Sequence, residues 1–566
     1  MDTLGLISFI VSFVLFMFYF FYAIDLLLRG NNQKLAHKAA CIGTVSSAVL
    51  YYLPYYMDSF HYEGFASSFL KSFFLSFHHA IRLFVVDANY GDIQDYAESL
   101  GTLGSFYSAL GIILLLTAPV LTFTFLMSFM QDFNIIYSVW FGGKGPCYVF
   151  SEFNEQSLYL AADIKRNHPK SNIVFMGVDR EDKKEYDNVK TYTKMLRPRL
   201  LKNNIIEMSY VLSKYRRDAK FFIIGENESN NADLTISMLM LSSERSKREI
   251  YVRLKRDDRL LDDLPQYENT EVFRIEHVYS AVINRLEKMG RNIIETACVN
   301  GNKDKVISAL VVGLGNYGTE MVKNLSWITQ VDGYTTKIYA FDKDEKAKER
   351  FEHLCPAFFA EDRADRHCDI TISSGVDVGT SFFDRELEKL KDVGYVFVAL
   401  GDDNLNVNTA YEIRSLFARM DKYPIIQTVV RNAEASKLLS NCKNYLGGSY
   451  DIDYIGSFEE IYSYEAITDS QNRNDIINAN LKWISEEKSK EYISHEEQYR
   501  SGKADIIHKK LLAEMGLQGV PYKKSCHRRW VNFMFSEGYV YGPKKDMISK
   551  TAKALVPFEK LKSKVE

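Results

Sequence analysis

Hydrophobic and polar positions divide the chain into two parts near residue 132. Long uncharged runs fill the N-terminal part, whereas Lys, Arg, Asp and Glu are dense from residue 152 to the end, a distribution that implies two solvents. Residues 4–28 are apolar or aromatic apart from two serines and Asp25, and about 20 such residues cross a hydrocarbon core as a helix. The stretch is too long for a cleaved leader, with no basic segment before it and no small-residue cleavage site after it, so it predicts an anchor. Residues 39–56, with Pro54 near their end, and residues 103–130, without a charge, predict further spans. Residues 65–86 are apolar enough to insert, but Lys71, His78, His79 and Arg82 are each costly at a bilayer centre unless they face protein or water. Residues 1–135 therefore predict an α-helical, multi-pass region of the cell membrane with three or four hydrophobic segments.

Orientation is left open between two arrangements. The basic loop Arg29, Lys34 and Lys38 favours a cytoplasmic position, which puts the N-terminus outside. Four full spans would then export the charged body, whereas a re-entrant segment at 65–86 keeps it cytoplasmic. Tyr90-Gly91-Asp92 matches the end of the potassium-filter sequence T-V-G-Y-G-D. Asp87, Ala88 and Asn89 replace the residues whose carbonyls line such a filter, so an acidic loop before the last span is the favoured reading.

Beyond residue 146 the pattern becomes short β-rich runs alternating with helical periods, the mark of an α/β parallel sheet covered by helices. It occurs twice. In the second copy, residues 305–470, the strand 308–312 leads into Gly313-Leu314-Gly315-Asn316-Tyr317-Gly318 and a helix over 319–329. This is G-x-G-x-x-G between a strand and a helix, where the glycines permit a tight turn and a diphosphate can sit at the helix N-terminus. A strand over 337–341 ends in Asp342, placed to accept a ribose hydroxyl. Gly313, Gly315, Gly318 and Asp342 are thus the candidate cofactor-binding residues, for NAD(H) or another adenine nucleotide. Further strands are predicted over 369–373, 395–400 and 425–430.

The first copy, residues 146–295, repeats the order with strands over 147–150, 173–178, 221–225 and 250–254. Residues 221–228 resemble 396–403, and both are followed by an Asn-rich helix start and a basic final strand, so an internal repeat of ~150 residues is expected. Where the glycines would stand, the first copy has Phe150-Ser151-Glu152-Phe153-Asn154-Glu155. Side chains and negative charge there exclude a diphosphate, although Asp179 keeps the acidic position. The first half is expected to be a structural or dimerising partner.

A membrane segment followed by tandem Rossmann-like units carrying Gly313-Leu314-Gly315-Asn316-Tyr317-Gly318 and Asp342 resembles the RCK (TrkA-N) family, over about residues 146–470. The resemblance implies ligand sensing: such domains bind nucleotides or ions and pass a change of shape to a potassium channel or transporter. It also implies a homo-oligomer.

After Trp483 the sequence turns charged and helical, with 486–498 read as a solvated helix or linker. The stretch from Trp530 through Gly538, Tyr541, Pro543 and Asp546 to Leu555, Pro557, Phe558 and Leu561 resembles the RyR repeat found in ryanodine receptors and in bacterial proteins. Tyr539 stands for the usual Trp, Phe558 for Tyr, and Ala552-Lys553 for a His-Pro pair. A small, mainly helical domain is expected over 490–566. Trp530, Tyr539, Tyr541 and Phe558 either form an aromatic pocket or, as such spacing more often means, belong to a core; Lys544 and Lys545 suit a phosphate or a solvated turn.

Charge and chemistry narrow the functional classes. The formal net charge is -3 with 25% charged residues, against a nucleic-acid surface. The seven cysteines show no paired spacing, which fits a reducing compartment for the body. Tyr-x-x-x-Lys occurs at Tyr186/Lys190, Tyr210/Lys214 and Tyr499/Lys503, none in the glycine-bearing part, and is expected by chance. His353, Cys355, His367 and Cys368 fit no common zinc spacing. No catalytic residue and no metal site is expected, so the favoured reading is a nucleotide-sensing regulator of ion, including potassium, transport. A nucleotide-activated membrane effector of an antiphage or stress system, and an NAD-dependent oxidoreductase, are the alternatives.

Overall fold

The computed structural model describes residues 2–28, 33–60, 64–85, 87, 91–140, 146–177, 196, 199–200, 204–214, 218–240, 247–254, 269–299, 305–361, 363, 366–444 and 446–562. The chain forms two compact units, Met1–Trp140 and Phe141–Glu566.

The first unit is helical: α1 (Asp2–Leu28), α2 (Gln33–Ser59), α3 (Phe65–Phe84), α4 (Gly91–Ser99) and α5 (Thr102–Trp140). Its α3 is inside out by the standard of a water-soluble bundle. Ser68, Ser72, Ser76, His79, Ala80 and Leu83 share the buried face, as the 3.6-residue period requires, while Phe65 (78%), Leu70 and Phe74 stand exposed. Ser12 and Ser47 exchange hydroxyl-to-carbonyl hydrogen bonds of 2.7 and 3.0 Å between α1 and α2. His79 stacks on Tyr52 at 4.2 Å and shares a 2.9 Å hydrogen bond with the Tyr56 hydroxyl. Of the ionisable residues left open on α3, His79 therefore faces inward, Lys71 and His78 are exposed, and Arg82 pairs with Asp87 at 3.3 Å.

Among the described residues one stretch, Gly104–Phe123 on α5, is long and apolar enough to cross a membrane; the apolar stretch Leu6–Tyr22 on α1 is shorter. This is fewer than the three or four segments expected, because the serines, histidines and cations of α2 and α3 dilute their apolar character. The acidic loop expected at 87–92 is also corrected in part: 88–90 lie outside the described residues, and Gly91 and Asp92 open helix α4.

The second unit holds two large parallel sheets and, near its C-terminus, a two-stranded parallel pair, Val540–Tyr541 with Thr551–Ala552. The first contains β1 (Cys147–Phe150), β2 (Asn172–Phe175), β3 (Arg199–Leu200), β4 (Ala219–Ile223), β5 (Arg248–Arg253) and β6 (Thr270–Ile275), in the order β3-β2-β1-β4-β5-β6. The second contains β8 (Lys305–Val312), β9 (Tyr334–Asp342), β10 (Cys368–Ser374), β11 (Tyr395–Val398), β12 (Ile425–Val429) and β13 (Ile452–Ile455), in the order β10-β9-β8-β11-β12-β13. A short antiparallel β7 (Cys298–Val299) is added beside β8. In both sheets the order reverses between the first and fourth strands, which opens a crevice at their C-terminal ends. Central strands β1, β4 and β11 are almost wholly buried, as expected of strands covered on both faces. β3, β6 and β13 carry no such apolar run, and sequence patterning missed them. Position 179 lies outside the described residues.

Aromatic rings bind the first sheet across its strands. Phe175, Phe150, Phe222, Tyr251 and Phe273, on β2, β1, β4, β5 and β6, follow one another at centroid separations of 4.9, 5.0, 5.1 and 4.9 Å. Offset pairs at this spacing contribute about 0.5–1.5 kcal/mol each beyond burial.

The two sheets exchange the helices that follow their last strands. After β6, the helix His277–Glu295 buries Val282, Ile283, Leu286, Ile293 and Ile294 in the core of the second sheet. After β13, the short helices Phe458–Ile461 and Tyr464–Thr468 send Ile461, Tyr462 and Ile467 into the core of the first. The backbone N–H of Tyr464 donates to Asp163 at 2.8 Å. The halves are thus interlocked.

The C-terminal helices Glu496–Glu514 and Gly519–Ser536 complete the second sheet's core rather than building a separate one. Ala504, Ile507, Leu512, Val531 and Phe533 belong to the same cluster as Met321 and Trp327, with Trp327 and Phe533 at 6.4 Å. The His508 Nε2 bonds the Gln330 carbonyl at 3.0 Å, and Arg528 pairs with Asp332 at 3.4 Å. The stretch 486–498, expected to be a solvated helix or linker, contains the helix Glu486–Ser494, mostly exposed, with Ser489 and Ile493 buried; just beyond it Tyr499 and Arg500 are buried, and Arg500 meets Glu276 and Glu537 at 3.5 and 3.2 Å. A periodic charge pattern cannot show that its charges will be paired inside.

Candidate functional site

The glycine corner at the end of β8 uses its three glycines for different purposes. Gly313 has φ +92, and a Cβ there would lie 2.3 Å from the Ala399 carbonyl oxygen; a Cβ on Gly318 would lie 1.7 Å from that of Gly313. These two are demanded by close backbone approach. Around Gly315 there is nothing within 4 Å of such a Cβ. Gly315 is also the N-cap of the helix Asn316–Ile328, and no side chain caps it. The first amides of a helix lack intrahelical partners, so the corner presents N–H groups and the positive end of the helix dipole to open space. The helix starts three residues earlier than the periodicity indicated because the glycine run itself winds its first turn.

Asp342 ends β9 beside this corner. Its Oδ2 accepts the Leu314 N–H at 2.6 Å and its Oδ1 the Asp344 N–H at 2.7 Å. Each carboxylate oxygen retains a second lone pair for a ligand hydroxyl, so Asp342 both braces the turn and remains able to accept.

A cavity of about 480 Å³ lies over the corner, within the range of small-molecule sites. Gly313, Gly315 and Asp342 line it, whereas Gly318 lies behind them against Gly313. Sequence reasoning missed the rest of the wall. Asp377 enters from the turn after β10, Gly401 (φ +89) from the end of β11 and Arg431 from the end of β12. Arg431 is held by Asp403 at 3.4 Å and by the Gly401 carbonyl at 2.9 Å. The first half supplies Gln156, Arg253 and His277 to the same cavity, which its expected structural role did not foresee. The available signal was the basic final strand common to both copies.

The repeat extends to individual bonds. In the first half Asn231 accepts from the Gly225 N–H at 3.1 Å and donates to the Arg253 carbonyl at 3.0 Å. In the second, Asn406 accepts from the Leu400 N–H at 2.6 Å and donates to the Val429 carbonyl at 2.8 Å. The equivalent acids Glu228 and Asp403 each pair with an arginine, Arg253 and Arg431, the second standing two positions further along its strand end. Gln156 and Tyr317 are each the second residue of the helix after the first strand, and His277 and Phe458 each open the exchanged segment. All four line the cavity.

Burial and the neighbouring Arg253 cation lower the His277 pKa to about 4, with Glu276 opposing, so its imidazole is neutral near pH 7. Burial, then neighbouring Tyr462, raises that of the Tyr317 hydroxyl.

The first half's own corner is filled. Asn154 caps its helix by accepting the Ser157 N–H at 2.9 Å, and its amide donates to the Ile224 carbonyl at 2.6 Å. The Glu152 carboxylate accepts the Glu226 N–H at 3.2 Å. The helix N-terminus is thus capped by a neutral amide, and a carboxylate stands beside it.

The other candidate groups separate in space. Cys355 is buried with its thiol 3.4 Å from the Ser536 carbonyl, and among the described residues no set of three His, Cys, Asp or Glu side chains is disposed to hold a metal. Tyr499 and Lys503 do meet, both on Asp469 Oδ2, with Lys503 at 2.6 Å, but in an ion network away from the cavity wall. Tyr210 is exposed, and 186 and 190 lie outside the described residues. Tyr539 is fully buried with its hydroxyl 2.7 Å from Glu497, whereas Tyr541 is exposed, so the aromatic residues of the C-terminal stretch do not share one environment. No family model matches the chain, and no curated protein matches it significantly.

Proposed function

We propose that this protein is a membrane-anchored nucleotide sensor, a tandem pair of Rossmann-like halves of RCK type. In this reading the second half binds NAD(H) or another adenine nucleotide and regulates ion, including potassium, transport through a multi-pass helical region. The observation that carries the reading is the open, uncapped helix N-terminus at Gly315 beside Asp342. It supplies donors for a diphosphate and an acceptor for a ribose. Binding without catalysis is part of this reading; the histidine on the cavity wall, His277, neighbours the Arg253 cation, which disfavours its protonation.

The inside-out packing of α3 supports the multi-pass reading, since phenylalanines at 42–78% exposure are stable against acyl chains and not against water. Exchange of helices between the halves supports transmission, because a shift of one half must move core helices of the other. A cytoplasmic body is consistent with its free cysteines.

The test is a thermal-shift series on the detergent-solubilised full chain with NAD, NADH, ATP, ADP-ribose and cyclic dinucleotides. At least one is expected to raise Tm, and Gly315→Val to abolish the rise. A flat response to all of them rejects sensing. Liposome flux with and without the active nucleotide then tests gating; nucleotide-independent flux, or none, rejects it.

A further inference from the structure

The cavity has two walls, and the cations stand on both. Arg253 ends β5 in the first half and Arg431 lies two residues past the end of β12 in the second; by strand register Arg253 corresponds to Val429, so the two arginines reach the cavity from different positions of the repeat. Each is steadied by an acid at the start of the preceding helix: Arg253 Nε lies 3.5 Å from Glu228 Oε1, and Arg431 Nε 3.4 Å from Asp403 Oδ1. We propose that Arg253 and Arg431 form a two-sided clamp for the phosphate groups of a nucleotide seated on the Gly313–Gly318 corner, so that the first half completes the second half's site. This inference rests on the nucleotide reading above and adds the ligand class: a nucleoside diphosphate, or a larger molecule built around a diphosphate.

Three observations favour a ligand role over a purely structural pair. The Arg253 side chain is 17% exposed, and its Nε is buried without a hydrogen-bond partner among the described residues. A guanidinium has five N–H donors, and one carboxylate at 3.5 Å leaves most of them unused. Next, the corresponding corner of the first half is occupied by Glu152 and Asn154, so Glu228 is the one anion shown beside Arg253 among the described residues of its own half. The Arg253 side chain lines the same cavity as Asn316 and Tyr317, which open the uncapped helix Asn316–Ile328. Finally, the closest titratable neighbour on that wall, His277, is neutral, so the first half offers the cleft a localised cation. Planar, bidentate recognition of phosphate is the chemistry for which arginine is suited. Bound across the cleft, a diphosphate pulls the two interlocked halves together, and a nucleoside without phosphates does not.

The full chain in detergent, titrated calorimetrically with ADP, NADH and ATP and with adenosine as the phosphate-free control, tests the clamp. Arg253→Ala is expected to weaken the phosphorylated probe that binds by at least about tenfold while leaving adenosine within about twofold, and Arg253→Lys to recover part of the loss. Glu228→Gln breaks the same ion pair but keeps the guanidinium, so it is expected to retain or tighten binding. Equal losses for Arg253→Ala and Glu228→Gln, or equal losses for the phosphorylated probe and adenosine, overturn the clamp. Unchanged binding in Arg253→Ala, with Gly315→Val inactive, removes the clamp and leaves the nucleotide site standing. A wild-type chain that binds none of the four removes both.

Discussion

The corners after β1 and β8 begin from the same strand order and the same helix, and end with opposite chemistry. After β1 the helix is capped by Asn154, and Glu152 in the same turn accepts the Glu226 N–H from the turn after β4. After β8 the helix is uncapped and the space beside Gly315 is empty. The sheets, the bridging asparagines and the arginine–carboxylate pairs are held in common. The contrast teaches that a doubly wound sheet offers a binding crevice by its topology alone, and that a few residues at one turn decide whether an anion can enter. It also shows that a half whose own corner is closed still reaches a site, because the shared cleft takes groups from both.

The sharpest way to break the comparison is to put a side chain where backbone meets backbone. Gly318→Val places its Cβ about where the Gly313 carbonyl stands, and is expected to cost about 3 kcal/mol or more of stability, read as the denaturation midpoint of the full chain. A variant that unfolds like the wild type would show that the corner relaxes freely.

The bridging asparagines come next. Asn231→Ala and Asn406→Ala each strand a buried backbone N–H and carbonyl and are expected to cost about 2–3 kcal/mol apiece. Near-equal losses in chemical denaturation sharpen the claim that the halves are equivalent, and a loss confined to one half breaks it.

Gly315→Asn gives the second corner the cap of the first. Stability should change by only a few tenths of a kcal/mol, while nucleotide affinity falls about tenfold or more, measured by calorimetry; unchanged affinity would mean that the helix N-terminus is not where the ligand sits.

The smallest effect expected is acid sensitivity. His277 titrates in the fold at about 4, below the ordinary value of 6.5. The unfolded chain therefore takes up the proton first, and the histidine's contribution, complete above about pH 6.5, is lost as pH falls toward 4. His277→Phe, which copies Phe458, is expected to lessen the stability loss between pH 6.5 and 4 by about 1 kcal/mol, a value reduced from the full shift because the ring is only half-buried. An unaltered pH profile would show that the imidazole is solvated after all.

Periodicity and punctuation along the chain determined that an apolar helical part precedes an alternating strand–helix part, that the latter repeats, and that Gly313, Gly315, Gly318 and Asp342 meet at one turn. These are local properties: a strand, a glycine turn and a helix start lie within a few residues of one another, and a strand covered on both faces advertises itself as an apolar run. Tertiary structure alone decided that Gln156, Arg253 and His277 face the same cavity as Gly315, because the exchange of helices joins positions 38 to 159 residues from that glycine through packing that leaves no periodic trace. It also decided that Arg500 is buried, since an arginine enters a core only where partners such as Glu276 and Glu537, both distant in sequence, neutralise it.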